Sequence, residues 1–504
     1  MEKKSLFPLK SWCIGRVLAI FAHDFYINAT RISLMNDVIT LLNDALWGYL
    51  LMGALVACGL WFTWKTRGVQ FRMVGEMLRL LTDAAVPAGN HHHKHISSFQ
   101  AFAVSVATRV GTGNLAGVAT AIAVGGPGAV FWMWMIALLG AATAFVESTL
   151  GQLFKQRHRA SFIGGPAYYI LHGLHRPWMA SLFAVLMTIT FGLSYNSIQS
   201  NTICGAMQQA FGWEPMAVGG VTAVVALFIV FGGIHRIARV SAVLVPLMAI
   251  GYFLLAVVIV LMNIHLVPHV LRVIVASAFG LEQTLGGALG AAMMNGVKRG
   301  LFSNEAGEGS APNVAATATV SHPVKQGLIQ ALGVFTDTLL VCSCTAFIIL
   351  ISGLYEVPEL NGITLTQAAL SAEVGSFGPI FIAIAIFLFA FSSIIGNYYY
   401  GEANILFLLR HSPLNSFPLT IYRIFSAGVM VMFGAWVSLD LVWNLGDLCM
   451  ALLTACNLVA IVSLGKYAFR LLDDYRQQKR RGITEPTFHR SQMPEIADDL
   501  PCWE

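Results

Sequence analysis

Between Ser105 and Ala119 the chain reads SVATRVGTGNLAGVA, which sets helix-breaking residues beside groups that bind small polar solutes. Glycines 111, 113 and 117 lower helix propensity and let a ligand approach the backbone. Thr112 and Asn114 add a hydroxyl and a carboxamide between them. The flanks are apolar, and bilayer hydrocarbon offers no water to unpaired amides and carbonyls. An interrupted helix at that depth therefore needs partners from protein or ligand. Freed backbone groups there suit a small zwitterion and a cation. The same glycines also fit a seam of small residues between packed helices, and both readings stand at this point.

A second run has the same character. Gly300 to Gly309 reads GLFSNEAGEG inside another long apolar segment. Arg109, Glu147, Lys298, Arg299, Glu305, Glu308, Asp337 and Glu402 fall in or near apolar segments. Each costs roughly 2.5–3.5 kcal/mol at a bilayer centre, so partners are expected. Arg109 is expected to pair with Glu147, a structural or gating ion pair that fixes the first interruption to its neighbour. Glu305 and Glu308 read either as part of an ion path or as caps of a half-helix at 309–316.

The elements that must hold these residues are membrane helices. The chain has 504 residues, 57% hydrophobic and 11% charged, where a soluble domain carries about 25% charge. It is all-α and polytopic, and its net charge of +5 is read through loop placement, not as affinity for nucleic acid. Eight cysteines are scattered, mostly in apolar segments, with no zinc spacing or disulfide framework. Hydropathy predicts about eleven spans, roughly 46–63, 99–123, 129–153, 177–211, 215–232, 240–263, 284–316, 323–353, 378–409, 417–437 and 440–463. Lys and Arg concentrate after the first span, in alternate connections and after 463, while 354–377 carries Glu356, Glu359 and Glu373. The positive-inside rule then places the N-terminus outside and the C-terminus in the cytoplasm.

Three regions are predicted: an N-terminal segment 1–45, a transmembrane domain 46–463 and a cytoplasmic tail 464–504, polar and partly disordered. Residues 1–34 carry Lys3, Lys4, Lys10, Arg16 and Arg31 against the topology. We expect translation to start at Met35, which N-terminal mass spectrometry checks. The cluster His91-His92-His93-Lys94-His95 invites a metal reading but lacks a second ligand set, so a solvated loop is favoured.

Setting the first span aside leaves five and five, and the first member of each half is the Gly-interrupted one. Broken helices at matching positions of two inverted halves point to a secondary-transporter site. A channel would need a continuous lined pore, and a membrane enzyme would need a nucleophile–base or metal constellation; neither explains the paired interruptions. Gly125 to Gly140, reading GGPGAVFWMWMIALLG, resembles the signature of the alanine or glycine:cation symporter family, the bacterial sodium:alanine carriers. Arg109 to Gly117, Glu147 to Leu150, Gly164 to Tyr169, Gly300 to Ala311 and Thr336-Asp337-Thr338 also match, and the resemblance runs roughly from Asp44 to Lys466.

This resemblance implies a LeuT-like five-plus-five core of the amino-acid/polyamine/organocation superfamily with one extra leading helix. It implies import of L-alanine or glycine, with D-alanine or serine as further substrates. Sodium is the coupling ion, with protons as the alternative, and no other cofactor and no obligate protein partner is expected. The location implied is the bacterial inner membrane. Backbone amides of Gly111, Thr112 and Gly113, with the side chain of Asn114, would hold the substrate carboxylate. The superfamily pattern puts sodium on backbone oxygens near Ala107 and Val110 and on the hydroxyls of Ser392 and Ser393. Those serines, like Gln199 and Asn201, equally fit interhelical hydrogen bonding. Gln199 would meet the substrate's amine, and Phe302 would limit its side chain. Family members often carry Trp after the position of Gly396, whereas this chain has Asn397, which puts substrate preference in question.

Overall fold

The structure, a computed structural model, describes residues 38–82, 96–158, 161–280, 287–410 and 416–504. The His91–His95 cluster and residues 1–34 lie outside the described residues. Eight helices are long and apolar enough to cross a membrane by length and composition. They are Val38–Lys65, Gly128–Leu153, Pro177–Phe211, Gly233–Met262, Pro323–Ser352, Phe377–Leu408, Phe417–Trp436 and Leu439–Arg480. Pro215–Val230 is apolar but shorter. The two glycine-rich regions form broken helices instead.

Local sequence explains where these helices start. Ser97 and Gln100 form a reciprocal capping box ahead of Ser98–Arg109. Proline occupies the first turn of Pro177–Ile189, Pro215–Val230 and Pro323–Val334, where its missing N–H costs nothing. The Glu214 carboxylate accepts from the Ala217 amide and His322 Nδ1 accepts from the Val324 amide, so both caps supply an acceptor to the first turn.

The Gly128–Leu153 helix is the central post. It packs against Gly287–Asn304 and Pro323–Val334 and against the first long helix. Glycine makes that approach close: a Cβ on Gly296 would sit 2.4 Å from the Ala129 carbonyl oxygen, and one on Gly300 would sit 2.7 Å from Ile136. Small residues at such a seam bring backbones together where lipid provides no hydrophobic drive. Large apolar side chains such as Val221, Phe228, Val243, Leu247 and Leu254 point outward from Pro215–Val230 and Gly233–Met262. On a chain of this composition that face meets acyl chains. After the central post, Gln156–His158 pairs antiparallel with Ser161–Ile163, with Arg157 opposite Phe162.

Both ends of the transmembrane region depart from expectation. The first helix begins at Val38, ahead of the expected boundary at 45. The last runs unbroken to Arg480, so the boundary expected at 463 falls inside one helix. The tail is not the disordered end its polarity indicates. Leu464, Ala468, Leu471, Leu472 and Tyr475 keep one helix face buried, and Phe488, Met493, Ile496, Leu500 and Trp503 are buried beyond it. The Trp503 indole donates to the Leu153 carbonyl and the Phe488 amide to Ser321 O, clamping the tail to two inter-helix connections. Wide spacing of few apolar residues hid this docking from a sequence average.

Candidate substrate and ion site

The first interruption falls where glycine and polar residues alternate. Ser98–Arg109 ends at Val110, whose ψ of 90° turns its carbonyl out of the helical direction, and helix resumes at Gly113. The Asn114 side chain bridges the gap: its Oδ1 accepts from the Gly111 amide at 2.9 Å. Both the amide and the hydroxyl of Thr112 donate to Gln199 Oε1, at 2.9 and 2.8 Å. Gln199 is carried by Pro177–Phe211, so that helix supplies an acceptor to the break, at the place where a carboxylate oxygen would accept. Asn201, its neighbour, instead donates to the carbonyls of Gly434 and Val437. That side chain ties helices together.

One turn before the interruption, Ser393 and Ser392 both donate to the Ala107 carbonyl, at 2.9 and 3.2 Å. Each also reaches the Phe389 carbonyl of its own helix. Two hydroxyls and a main-chain carbonyl thus converge beside the break, with Val110 three residues on. Asn397 follows Ser393 by one helical turn and is 1% exposed. Both its Oδ1 and its Nδ2 lack a protein partner. A buried carboxamide with neither atom satisfied is costly, and the partner it lacks must come from ligand or water.

The second interruption spans Glu305 to Ser310, between Gly287–Asn304 and the short helix Ala311–Ala315. Glu305, Gly307 and Gly309 take φ of 56°, 97° and 80°, which glycine adopts freely and glutamate does not. The freed amides have a specific acceptor. Glu147, on the central post, accepts from Gly307 N and Gly309 N at 3.2 Å each and from Asn457 Nδ2 at 2.9 Å. This corrects the expected ion pair. Arg109 does not bridge to Glu147; its Nη1 donates to the Gln330 carbonyl at 3.1 Å, while Nε and Nη2 have no partner. The carboxylate is engaged by backbone amides, a demand that no reading of nearby charges reveals. Glu305 accepts from Ser310 Oγ at 2.5 Å, and Glu308 faces the Tyr195 hydroxyl at 3.4 Å.

Phe302 joins the two interruptions. Its ring lies 4.8 Å from those of Tyr195 and Trp443, and a Cβ on Gly113 would approach it to 3.1 Å. Sequence reasoning named Phe302 but missed both aromatic partners. It also left Lys298 and Arg299 without a counter-charge, which the structure supplies. Asp447 accepts from Arg299 at 2.5 Å and lies 3.1 Å from Lys298, and Arg299 stacks over Trp443. The triad locks Gly287–Asn304 to the last long helix on one side of the aromatic layer. No spacing signal links residues so far apart in sequence.

Comparison with known proteins agrees with this architecture. The model of the sodium:alanine symporter family matches residues 32–490. A Bacillus subtilis protein named a probable sodium/glutamine symporter, GlnT, is 49% identical over 93% of this chain and 96% of its own. The sodium/alanine symporter AgcS of Methanococcus maripaludis is 35% identical over 86% of this chain and 94% of its own. Among solved structures, MhsT in complex with L-phenylalanine superposes with a TM-score of 0.51 at 14% identity, covering 75% of this chain and 98% of that one. The fold is therefore that of a multi-pass helical transporter, and the chain belongs to the sodium:alanine symporter family of cation-coupled amino-acid carriers, which are not enzymes.

Proposed function

We propose that this chain is a sodium-coupled symporter that imports alanine or glycine by alternating access. One leading helix and a five-plus-five inverted core would give eleven spans in a bacterial inner membrane, the N-terminus outside and the C-terminus in the cytoplasm. The observation that carries the reading is the meeting of Ala107 O, Ser392 Oγ and Ser393 Oγ one turn from Thr112. Hard oxygen donors suit sodium, and a cation there lies beside the donors that would take a substrate carboxylate. Gln199 Oε1 now accepts from Thr112; a bound carboxylate would replace it, freeing that oxygen to accept from the substrate's ammonium. Gly111, Gly113 and Asn114 shape this corner, and Phe302 closes it against longer side chains. Glu147 acts as the anchor of the second interruption in place of an Arg109 pair.

The driving force is adequate. One sodium moving down about 100 mV gains about 2.3 kcal/mol, and a tenfold gradient adds about 1.4 kcal/mol. The test is radiolabelled L-alanine uptake into proteoliposomes with and without an inward sodium gradient, with glycine, D-alanine and serine as competitors. Sodium-dependent accumulation blocked by glycine supports the reading. In that assay Ser392→Ala with Ser393→Ala should raise the sodium requirement, and full sodium dependence in the double variant would refute this ion site. Uptake driven by protons alone would move coupling to the buried carboxylates Glu305 and Glu308.

One observation favours a second substrate. The unsatisfied Asn397 carboxamide would pair with a carboxamide side chain, and a relative at 49% identity carries glutamine in its name. Competition of L-glutamine against L-alanine, in the native chain and in Asn397→Trp, separates the two preferences.

A further inference from the structure

We propose that Asp337 forms a second sodium site, separate from the serine site and wedged between the two interruptions. The inference rests on the symport reading above and adds an ion to it. Asp337 lies where Pro323–Ser352 widens into the π-helical stretch Phe335–Cys342. It is fully buried. Its Oδ1 accepts from Asn114 Nδ2 at 2.7 Å; its Oδ2 accepts from Ser303 Oγ at 2.7 Å and from Thr338 Oγ1 at 2.8 Å. Asn114 belongs to the first interruption, and Ser303 precedes the second by two residues. One carboxylate therefore touches both broken helices.

Every one of these partners is neutral. No Lys, Arg or His among the described residues forms an ion pair with Asp337, and Arg109 is directed at the Gln330 carbonyl. A carboxylate buried without a positive partner is unfavourable by several kcal/mol. Three donors aimed at its two oxygens match the ionised group, which accepts only. The chain provides no permanent counter-charge, so a mobile one fits. Ser303 Oγ, Thr338 Oγ1 and Asp337 Oδ2 already stand within hydrogen-bond distance of each other. A small cation entering among them would take three hard oxygens and cancel a single negative charge, which selects a monovalent ion over calcium. Its position also explains how ion and substrate would communicate: Asn114 caps the half-helix of the first interruption, and Ser303 adjoins Phe302.

The test is equilibrium binding of radioactive sodium to the purified full-length protein with alanine present, alongside proteoliposome uptake. The native chain should bind about two ions, Asp337→Asn about one and Ser393→Ala about one. The Hill coefficient of sodium-dependent uptake should fall from near two toward one in Asp337→Asn. Ser303→Ala, which removes a ligand and keeps the charge, should weaken one of the two sodium affinities on the order of tenfold. Native binding of about one ion alongside sodium-driven uptake overturns the second site alone. Absence of any sodium-driven uptake overturns the symport reading with it. Unchanged stoichiometry in Asp337→Asn, with only its pH dependence altered, would identify a proton-carrying group and overturn the proposal. If Asp337→Asn does not fold, native stoichiometry and Ser303→Ala decide.

Discussion

Substituting Gly111 by alanine tests the geometry of both proposed sites with one methyl group. A Cβ at this position would lie 2.3 Å from Ser393 Oγ and 2.9 Å from Gln199 Oε1. Real Cβ atoms do not approach so closely, so one or both side chains must move. Ser393 would leave the Ala107 carbonyl, now 2.9 Å away, and Gln199 would leave Thr112, whose amide and hydroxyl it meets at 2.9 and 2.8 Å. The interruption is packed on all sides, and inserting a methyl into a filled core costs about 1–3 kcal/mol. If that cost falls on the loaded state, apparent affinities for sodium and alanine should fall together, by about 5- to 150-fold at 1.4 kcal/mol per decade. The control is Gly117→Ala on the same segment. There the nearest side-chain atom would be Trp443, 3.7 Å away, an ordinary contact. Alanine is the better helix former by up to ~1 kcal/mol, so transport should be unaffected. The assay is alanine uptake at varied sodium and varied alanine, with folding checked by size-exclusion chromatography. Native kinetics in Gly111→Ala, or equal damage from Gly117→Ala, would refute the packing argument.

Further expectations follow from the anchors around the site. Asp447→Asn leaves Lys298 and Arg299 facing a neutral group in a buried setting; breaking such a pair costs about 3–5 kcal/mol. Its thermal unfolding in detergent should therefore shift well below that of the native chain, and an unchanged midpoint would show that the triad is not a structural lock. Glu147→Gln sets an NH2 against one of the Gly307 and Gly309 amides, and an unmatched buried donor costs about 1–3 kcal/mol. Its unfolding midpoint should fall, while Ser148→Ala, whose hydroxyl has no partner, should leave it in place. Outside the membrane, partial burial pushes the Glu76 carboxyl up, but Arg79, Tyr475 and Lys479 outweigh it and hold it down at about 2. The unfolded group titrates near 4.3. Stability from this cluster is thus present above about pH 4.3 and is lost as pH falls toward about 2. Glu76→Gln should remove that part of the acid dependence of unfolding, and an unchanged acid limb would contradict it.

Much of the fold was legible because its signals are local. A membrane helix must carry a long apolar run whatever surrounds it, so hydropathy located the long helices to within a few residues over most of the chain. Glycine beside hydroxyl and carboxamide groups marks an interruption for equally local reasons, and both breaks fall inside the runs that contain these residues. The tail was misread because five apolar side chains spread from Phe488 to Trp503 do not raise a window average, yet each finds a pocket.

The partners of the buried charges belong to the tertiary structure alone. Arg109 and Glu147 are close in sequence, but the rotation of two packed helices turns one toward a carbonyl and the other toward freed amides. Asp447 serves Arg299 from 148 residues away, and Asn457 serves Glu147 from 310. Sequence determines that a charge inside a bilayer must be satisfied, since hydrocarbon offers it nothing. Which group satisfies it depends on how helices approach and turn, and that is decided by the glycine seams and aromatic contacts of the whole bundle.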